Sequence, residues 1–205
     1  MTSHVLAMLR RVAFRQGRLV GAYKRYCRPD GREWAEFLKA RNALHAMGEN
    51  CSIQTNVHIA DPSYVKMGNN VRLSGCTLFG HDGSINMINR AYGLNLDRVG
   101  KIELRDNVYV GHQAIILPGV TIGPNAIVAA NAVISKDVPE NVVYGGVPGK
   151  FLCRLDDYVE RLQKETANLP WMHLIEERDA EFDPEMQPEL DRIRLATWYG
   201  PRSTS

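Results

Sequence analysis

The sequence predicts a mainly β solenoid, a coil of short strands, with helical segments before and after it. Three observations predict it. Aliphatic residues recur every six positions through the middle of the chain. The corners of that lattice carry glycine, alanine and proline. The two ends space their apolar residues three and four apart instead.

The lattice is clearest from Leu104 onward: Val110, Ile116, Ile122, Val128 and Ile134 follow at steps of six. A second lattice, four residues later in each step, holds Val108, Ala114, Val120, Ala126, Ala132 and Val138. A helix of period 3.6 or a strand of period two leaves no such pattern. A hexad that makes one strand and one corner does, with an aliphatic side chain pointing inward. Gly111, Gly123 and Ala129 suit the tight corners, and Pro118 and Pro124 sit where a missing N–H costs little. Upstream the period returns in another phase: Ile53, Ile59, Val65, Val71 and Thr77, with Met67, Leu73 and Phe79 as partners. Residues 82–101 fit neither phase and read as an inserted loop that begins just after Gly80–His81. A loop of that length inside a compact domain usually has a function or no fixed structure.

These readings divide the 205 residues into a helical extension (1–50), a β-helix with its loop (51–150) and a helical, then irregular, extension (151–205). Val5, Met8, Leu9 and Val12 mark one apolar helix face, and Glu33 to Met47 reads as a second helix. A third starts at Leu155 and should stop before Pro170. Residues 179–205, acidic and interrupted by prolines, read as extended or partly ordered.

Charge follows the same division. Residues 1–28 hold seven Arg and Lys and no acid, while residues 151–205 hold twelve acids against seven bases. Such asymmetry concerns partners, not fold. The overall net charge of +2 carries no signal for nucleic acid. Hydrophobic residues at 44% allow a core, so global disorder is excluded. Cys27, Cys51, Cys76 and Cys153 have no CxxC spacing and read as reduced thiols of a cytoplasmic protein. No apolar run reaches the roughly 20 residues of a membrane helix. Arg10 and Arg11 interrupt any signal core at the N-terminus.

The stretch VGHQAIILPGVTIGPNAIVAANAVISKDVPENVVYGGVPGKFL closely resembles the hexapeptide-repeat acyltransferases. The resemblance covers about residues 50–152. It implies a left-handed parallel β-helix, acetyl-CoA as acyl donor and a homotrimer. Within the family, LFGHDGS is similar to bacterial surface-polysaccharide O-acetyltransferases, which implies a saccharide hydroxyl as acceptor.

Acyl transfer to a hydroxyl needs a base, donors for the developing oxyanion and a grip on the thioester. Histidine, with an ordinary pKa of about 6.5, is the natural base near neutral pH. Of the histidines in the repeat body (58, 81 and 112), His81 closes a β-run before the loop and matches the family's catalytic histidine. Asp82 stands beside it, to meet the acceptor or hold the loop. As its neighbour on a strand, Asp82 points the other way, so a backbone carbonyl or another carboxylate can orient the ring instead. His112 matches a position whose main-chain N–H is the family's oxyanion donor, and its imidazole would line the acceptor pocket. Ala129 and Ala130 match the small pair along the pantetheine arm. Ser135, Lys136 and Lys150 match residues at the adenosine phosphates, although lysines at such places are often only solvated. Gly149 stands for the usual Ala, and Asn131 for the usual Gly, a mild change because Asn tolerates positive φ.

Three other readings compete with this one. A zinc hydrolase on this fold resembles an HxxxxH pair, but Leu117 occupies the second position after His112, so no metal is expected. A scaffold without chemistry would lack the base. N-acetylation of a nucleotide-linked amino sugar is the alternative reaction. The basic head permits two readings: peripheral contact with an anionic membrane surface at the inner face, or ordinary packing of the first helix.

Overall fold

The structure is a computed structural model that describes residues 3–200. Residues up to Leu155 form one compact unit, and those from Asp156 on form a second.

In the first unit the hexads become strands of two to four residues stacked in three parallel sheets. One sheet stacks 46–47, 65–67, 102–104 and 121–122; another stacks 58–59, 77–78, 115–116 and 133–134. The third stacks 52–53, 72–73, 108–110, 126–128 and 142–145, and is closed by an antiparallel strand, Lys150–Arg154. Along the strict lattice, strands pair three hexads apart: Leu104 with Ile122, Val110 with Val128, Ile116 with Ile134. All six of these side chains are buried, as is the Val/Ala lattice from Val108 to Val138. Each fully buried Val, Leu or Ile contributes about 1.5–3 kcal/mol. Like residues thus stack coil on coil in the interior.

The upstream phase holds as far as Leu73 and then slips. Cys76 and Leu78 point into the core, while Thr77 and Phe79 lie outside it. The cause is the corner Ser74–Gly75, one residue short, where Gly75 turns the chain at φ +59°. Losing one residue exchanges the two faces of the strand that follows. The sheets begin at Ala46–Met47, which pairs with 66–67, so the β-structure starts ahead of residue 51.

Three helical pieces precede the coil: α1 (Ser3–Gln16), α2 (Val20–Ala22), which runs on into a π-helical turn at Tyr23–Cys27, and α3 (Gly31–Ala40). Asp30 caps α3 by accepting the Glu33 N–H at 2.8 Å. The helix expected to reach Met47 ends at Ala40, because Asn42 takes a left-handed conformation (φ +48°) and Ala43 N–H turns back to Leu38 O. The buried face of α1 differs from the expected stripe. Leu9 and Ala13 are buried with Tyr23, Cys27 and Phe37, whereas Val5 and Met8 stay exposed. Small Ala13 admits the aromatic rings, and Arg10 is drawn to Glu33 at 2.7 Å.

The inserted loop is not structureless: it folds helix α4 (Ser84–Tyr92). The second unit holds most of α5 (Leu155–Thr166), then α6 (Met172–Glu177) and α7 (Gln187–Tyr199). The segment expected to be extended is therefore helical over α7. Pro188 lies in its first turn, where no intrahelical N–H is lost, and Glu189 bonds Arg192 one turn on. Residues 201–205 of that segment lie outside the described residues. Trp171 packs edge-on against Trp198 at 5.6 Å within this unit. Helices hold more of the described residues than strands, so "mainly β" fits the coil and not the chain. No described helix is long and apolar enough to cross a membrane.

Candidate active site

The site is built at one corner of the coil, where strand Thr77–Leu78 ends. Phe79 N–H still bonds Ile116 O in the neighbouring coil. At His81 the chain leaves the coil, and it returns at Gly100, whose N–H bonds Gly80 O at 2.8 Å. An antiparallel bridge between His81 and Val99 closes the stem of the loop.

The corner one coil earlier is a 3₁₀ turn, Pro62–Tyr64, preceded by Asp61. Asp61 Oδ2 accepts Gly80 N–H at 3.1 Å and lies 2.6 Å from His81 Nδ1. Only glycine fits at position 80, since a Cβ there would fall 2.7 Å from Asp61 Cβ. With a carboxylate as partner, Nδ1 is the protonated nitrogen and Nε2 carries the free lone pair. The His81 side chain is 48% exposed and that of Asp61 23%, so the pair faces solvent from a fixed mount. The sequence allows either a carbonyl or a carboxylate as the group that orients this ring. The structure supplies Asp61. Its signal is its position, one coil before His81, just ahead of Pro62.

Asp82 is turned into the loop. Its Oδ1 accepts Ser84 N–H at 3.0 Å and Ser84 Oγ–H at 2.7 Å, and its Oδ2 lies 3.6 Å from Arg98. The Ser84 hydrogen bonds, helped by Arg98, hold its carboxyl below the usual carboxylate range. Farther along, Asn89 clamps both backbone groups of Leu96 at 2.8 Å.

His112 occupies a different corner. A Cβ on Gly75 would fall 2.5 Å from His112 Nδ1, so the imidazole rests against that corner of the preceding coil. His112 O accepts Asn131 N–H at 2.8 Å, and among the described residues its own N–H enters no backbone hydrogen bond. Strand Ile115–Ile116 runs beside Thr77–Leu78, so His112 and His81 stand at opposite ends of one sheet. At about 3.3 Å per residue that is roughly 15 Å. A single chain does not bring them together.

Ser135, Lys136 and Lys150 do meet. They line a groove of about 440 Å³ with Tyr144, Gly149 and Phe151. Its floor is tight: Gly149 N–H bonds Val133 O at 2.8 Å, and a Cβ there would fall 2.5 Å from Ile134 Cδ1. The Ala129–Ala130 corner adjoins the groove without lining it, and Asn131 there has φ +59°. Lys136 lies on the same corner column as Gly80, two coils away, or about 10 Å at the usual strand spacing. Among the described residues no three His, Cys, Asp or Glu side chains converge as metal ligands.

The family profile described as "Bacterial transferase hexapeptide (six repeats)" matches residues 101–136. Protein CapG of Staphylococcus aureus is 35% identical over 128 residues, covering 60% of this chain and 74% of that protein. The putative acetyltransferase YvoF of Bacillus subtilis is 33% identical over 103 residues, 50% of this chain and 55% of that one. The galactoside O-acetyltransferase of Escherichia coli is 30% identical over 116 residues, 54% of each. The chain thus spans about half the length of the last two. A hexapeptide coil of this register, matched by the profile and shared with a relative over most of that relative's length, means that the chain belongs to the hexapeptide-repeat acyltransferase family.

Proposed function

We propose that the protein moves an acetyl group from acetyl-CoA to a hydroxyl of a saccharide, in the synthesis of a bacterial surface polysaccharide. The observation that carries this reading is the Asp61–His81 pair, mounted at the stem of the loop with Nε2 free. His81 Nε2 takes the hydroxyl proton as the oxygen attacks the thioester carbonyl. The new C–O bond forms, the C–S bond breaks, and the proton passes to the departing CoA sulfur. Asp61 keeps the ring in the tautomer that accepts, and balances the imidazolium while it lasts. The groove of Ser135, Lys136 and Lys150 suits the phosphates of CoA, with the pantetheine arm passing Ala129 and Ala130. The relatives add support: one is a galactoside O-acetyltransferase by name, and two others are called putative acetyltransferases.

We infer a left-handed coil and a homotrimer whose sites are shared between copies. Two observations support sharing. His112 N–H, the oxyanion donor in this reading, is too far from His81 of its own chain, and a neighbour would supply it. The loop also displays Met87, Tyr92, Leu94 and Leu96 to solvent, an apolar surface that a second copy would cover. Sedimentation that finds an active monomer would overturn the shared site.

The activity is tested by release of CoA thiol from acetyl-CoA, with neutral glycosides, uronic acids and nucleotide-linked amino sugars as acceptors. Turnover with a glycoside hydroxyl, identified as an O-acetyl ester by mass and alkali lability, is expected. Turnover only with an amino sugar, giving an alkali-stable amide, would replace the reading by N-acetylation.

A further inference from the structure

Next to the Asp61–His81 pair, around the same corner, lies a second cavity of about 380 Å³ that the catalytic scheme does not use. His45, Ser63, Tyr64, Lys66, Lys101 and Glu103 line it. Two of its walls are fastened to the catalytic corner. Tyr64 follows Asp61 in the 3₁₀ turn, and its Cδ2 would lie 3.1 Å from a Cβ on Gly80. Lys101 follows Gly100, the residue bonded to Gly80 O. Both walls thus join the cavity to Gly80, the residue that precedes His81 in the chain.

Its charges are organised. Glu103 gives one carboxylate oxygen to each lysine, with Lys66 at 3.2 Å and Lys101 at 2.9 Å. The Glu103 side chain is only 19% exposed, whereas the two lysines are 55% and 70% exposed. One carboxylate thus holds two ammonium groups side by side at the mouth. One unit of positive charge is left over, and each ammonium still has N–H donors to give. The Tyr64 ring stands exposed on the rim, an amphipathic plate of the kind that receives the C–H face of a sugar.

We propose that this cavity is an acceptor subsite for a sugar bearing an anionic group, a carboxylate or a phosphate, held by Lys66 and Lys101 and stacked on Tyr64. The proposal rests on the saccharide reading above and deepens it. A charged sugar seated there would present a hydroxyl of its own, or of the next residue in a chain, to His81 Nε2. Glu103 acts as a positioning residue, fixing the spacing of the two ammonium groups.

The test uses the full-length protein and matched small probes: methyl glucoside, methyl glucuronide and glucose 1-phosphate. Dissociation constants come from isothermal titration or ligand-observed NMR, so the readout does not depend on turnover. The wild type should bind one or both charged probes about tenfold more tightly than methyl glucoside, the scale of two exposed ion pairs. Lys66→Gln with Lys101→Gln should abolish that preference, and Tyr64→Ala should weaken all three probes. Preference for the glucuronide over the phosphate would assign a carboxylate, and the reverse a phosphate. Equal binding of charged and neutral probes by the wild type would overturn the proposal, as would a preference that survives the double substitution. If no saccharide is acetylated yet the lysine-dependent preference appears, the subsite stands and the transfer reading fails.

Discussion

Two corners of the same coil make an instructive contrast. Along one edge, Asn50, Asn70, Asn107, Asn125 and Asn141 all adopt positive φ. Four of them bond in a row: Asn70 to Asn107 at 2.9 Å, Asn107 to Asn125 at 2.8 Å, Asn125 to Asn141 at 3.0 Å. This edge repeats the same residue in the same conformation and uses its amides on itself. Along the edge that carries His81, successive coils hold a 3₁₀ turn after Asp61, the inserted loop at Gly80, Pro118–Gly119 and Ser135–Lys136. Nothing repeats there, and several polar groups point outward with unused valence. Periodicity satisfies a corner internally, and breaking it leaves side chains free to do chemistry.

The largest effect should come from the irregular edge. His81→Ala should lower turnover by about 10²–10⁴-fold while the KM for acetyl-CoA changes little. Asp61→Asn should lower kcat by a smaller factor, again with little effect on that KM, and Asp61→Glu should restore part of it. Near-normal kcat in His81→Ala would remove the base. Loss of folding in Asp61→Asn, read by circular dichroism, would mean that Asp61 only holds the corner.

The regular edge should answer in stability and not in rate. Asn125→Ala takes away the side-chain amide that lets asparagine tolerate the left-handed region and removes two ladder bonds, a loss of about 2–3 kcal/mol in denaturant unfolding. Asn125→Gly keeps the backbone conformation and should lose only about 1 kcal/mol. Should the two variants be equally stable, left-handed strain is not what selects asparagine there.

A smaller effect is expected at the groove two coils from His81. Lys136→Ala and Lys150→Ala should each raise the KM for acetyl-CoA roughly fivefold, with kcat affected less, since a remote phosphate contact acts alike in ground and transition states. An unchanged KM in both variants would place CoA elsewhere.

The smallest concerns the head of the chain. Exposed Met8 shares the outer face of α1 with Arg11 and Arg15, one and two turns farther on, which supports a weak hold on anionic lipid. Because Tyr23 and Cys27 belong to a buried cluster, truncation would damage the fold, and substitution is the cleaner probe. Wild-type binding to phosphatidylserine vesicles should fade with salt and drop severalfold in Arg11→Gln with Arg15→Gln. No vesicle binding at low salt would leave the head as packing alone.

The hexad lattice from Leu104 to Ile134 was legible because burial on a repeating coil demands an aliphatic residue at each step, and no other period mimics it. His81 was legible because the lattice stops there. The groove lysines came from a resemblance, and the fold places both on the lining of one groove. The slip at Cys76 was hidden, since Thr77 and Phe79 are themselves plausible strand residues and only a corner one residue short reverses them. The face of α1 was hidden for a related reason: Val5, Met8, Leu9 and Val12 fit a helical stripe, but Tyr23 and Phe37 choose Leu9 and Ala13.

The sequence by itself thus determined the coil and the point at which it breaks at His81, because these follow from local spacing and hydrophobic burial. Tertiary structure alone decided what stands beside that histidine. Asp61 is twenty residues before His81 in the chain yet 2.6 Å from it in space, since one turn of the coil brings corner onto corner. Stacking of that kind depends on the length of each intervening coil, which corners and insertions alter one residue at a time.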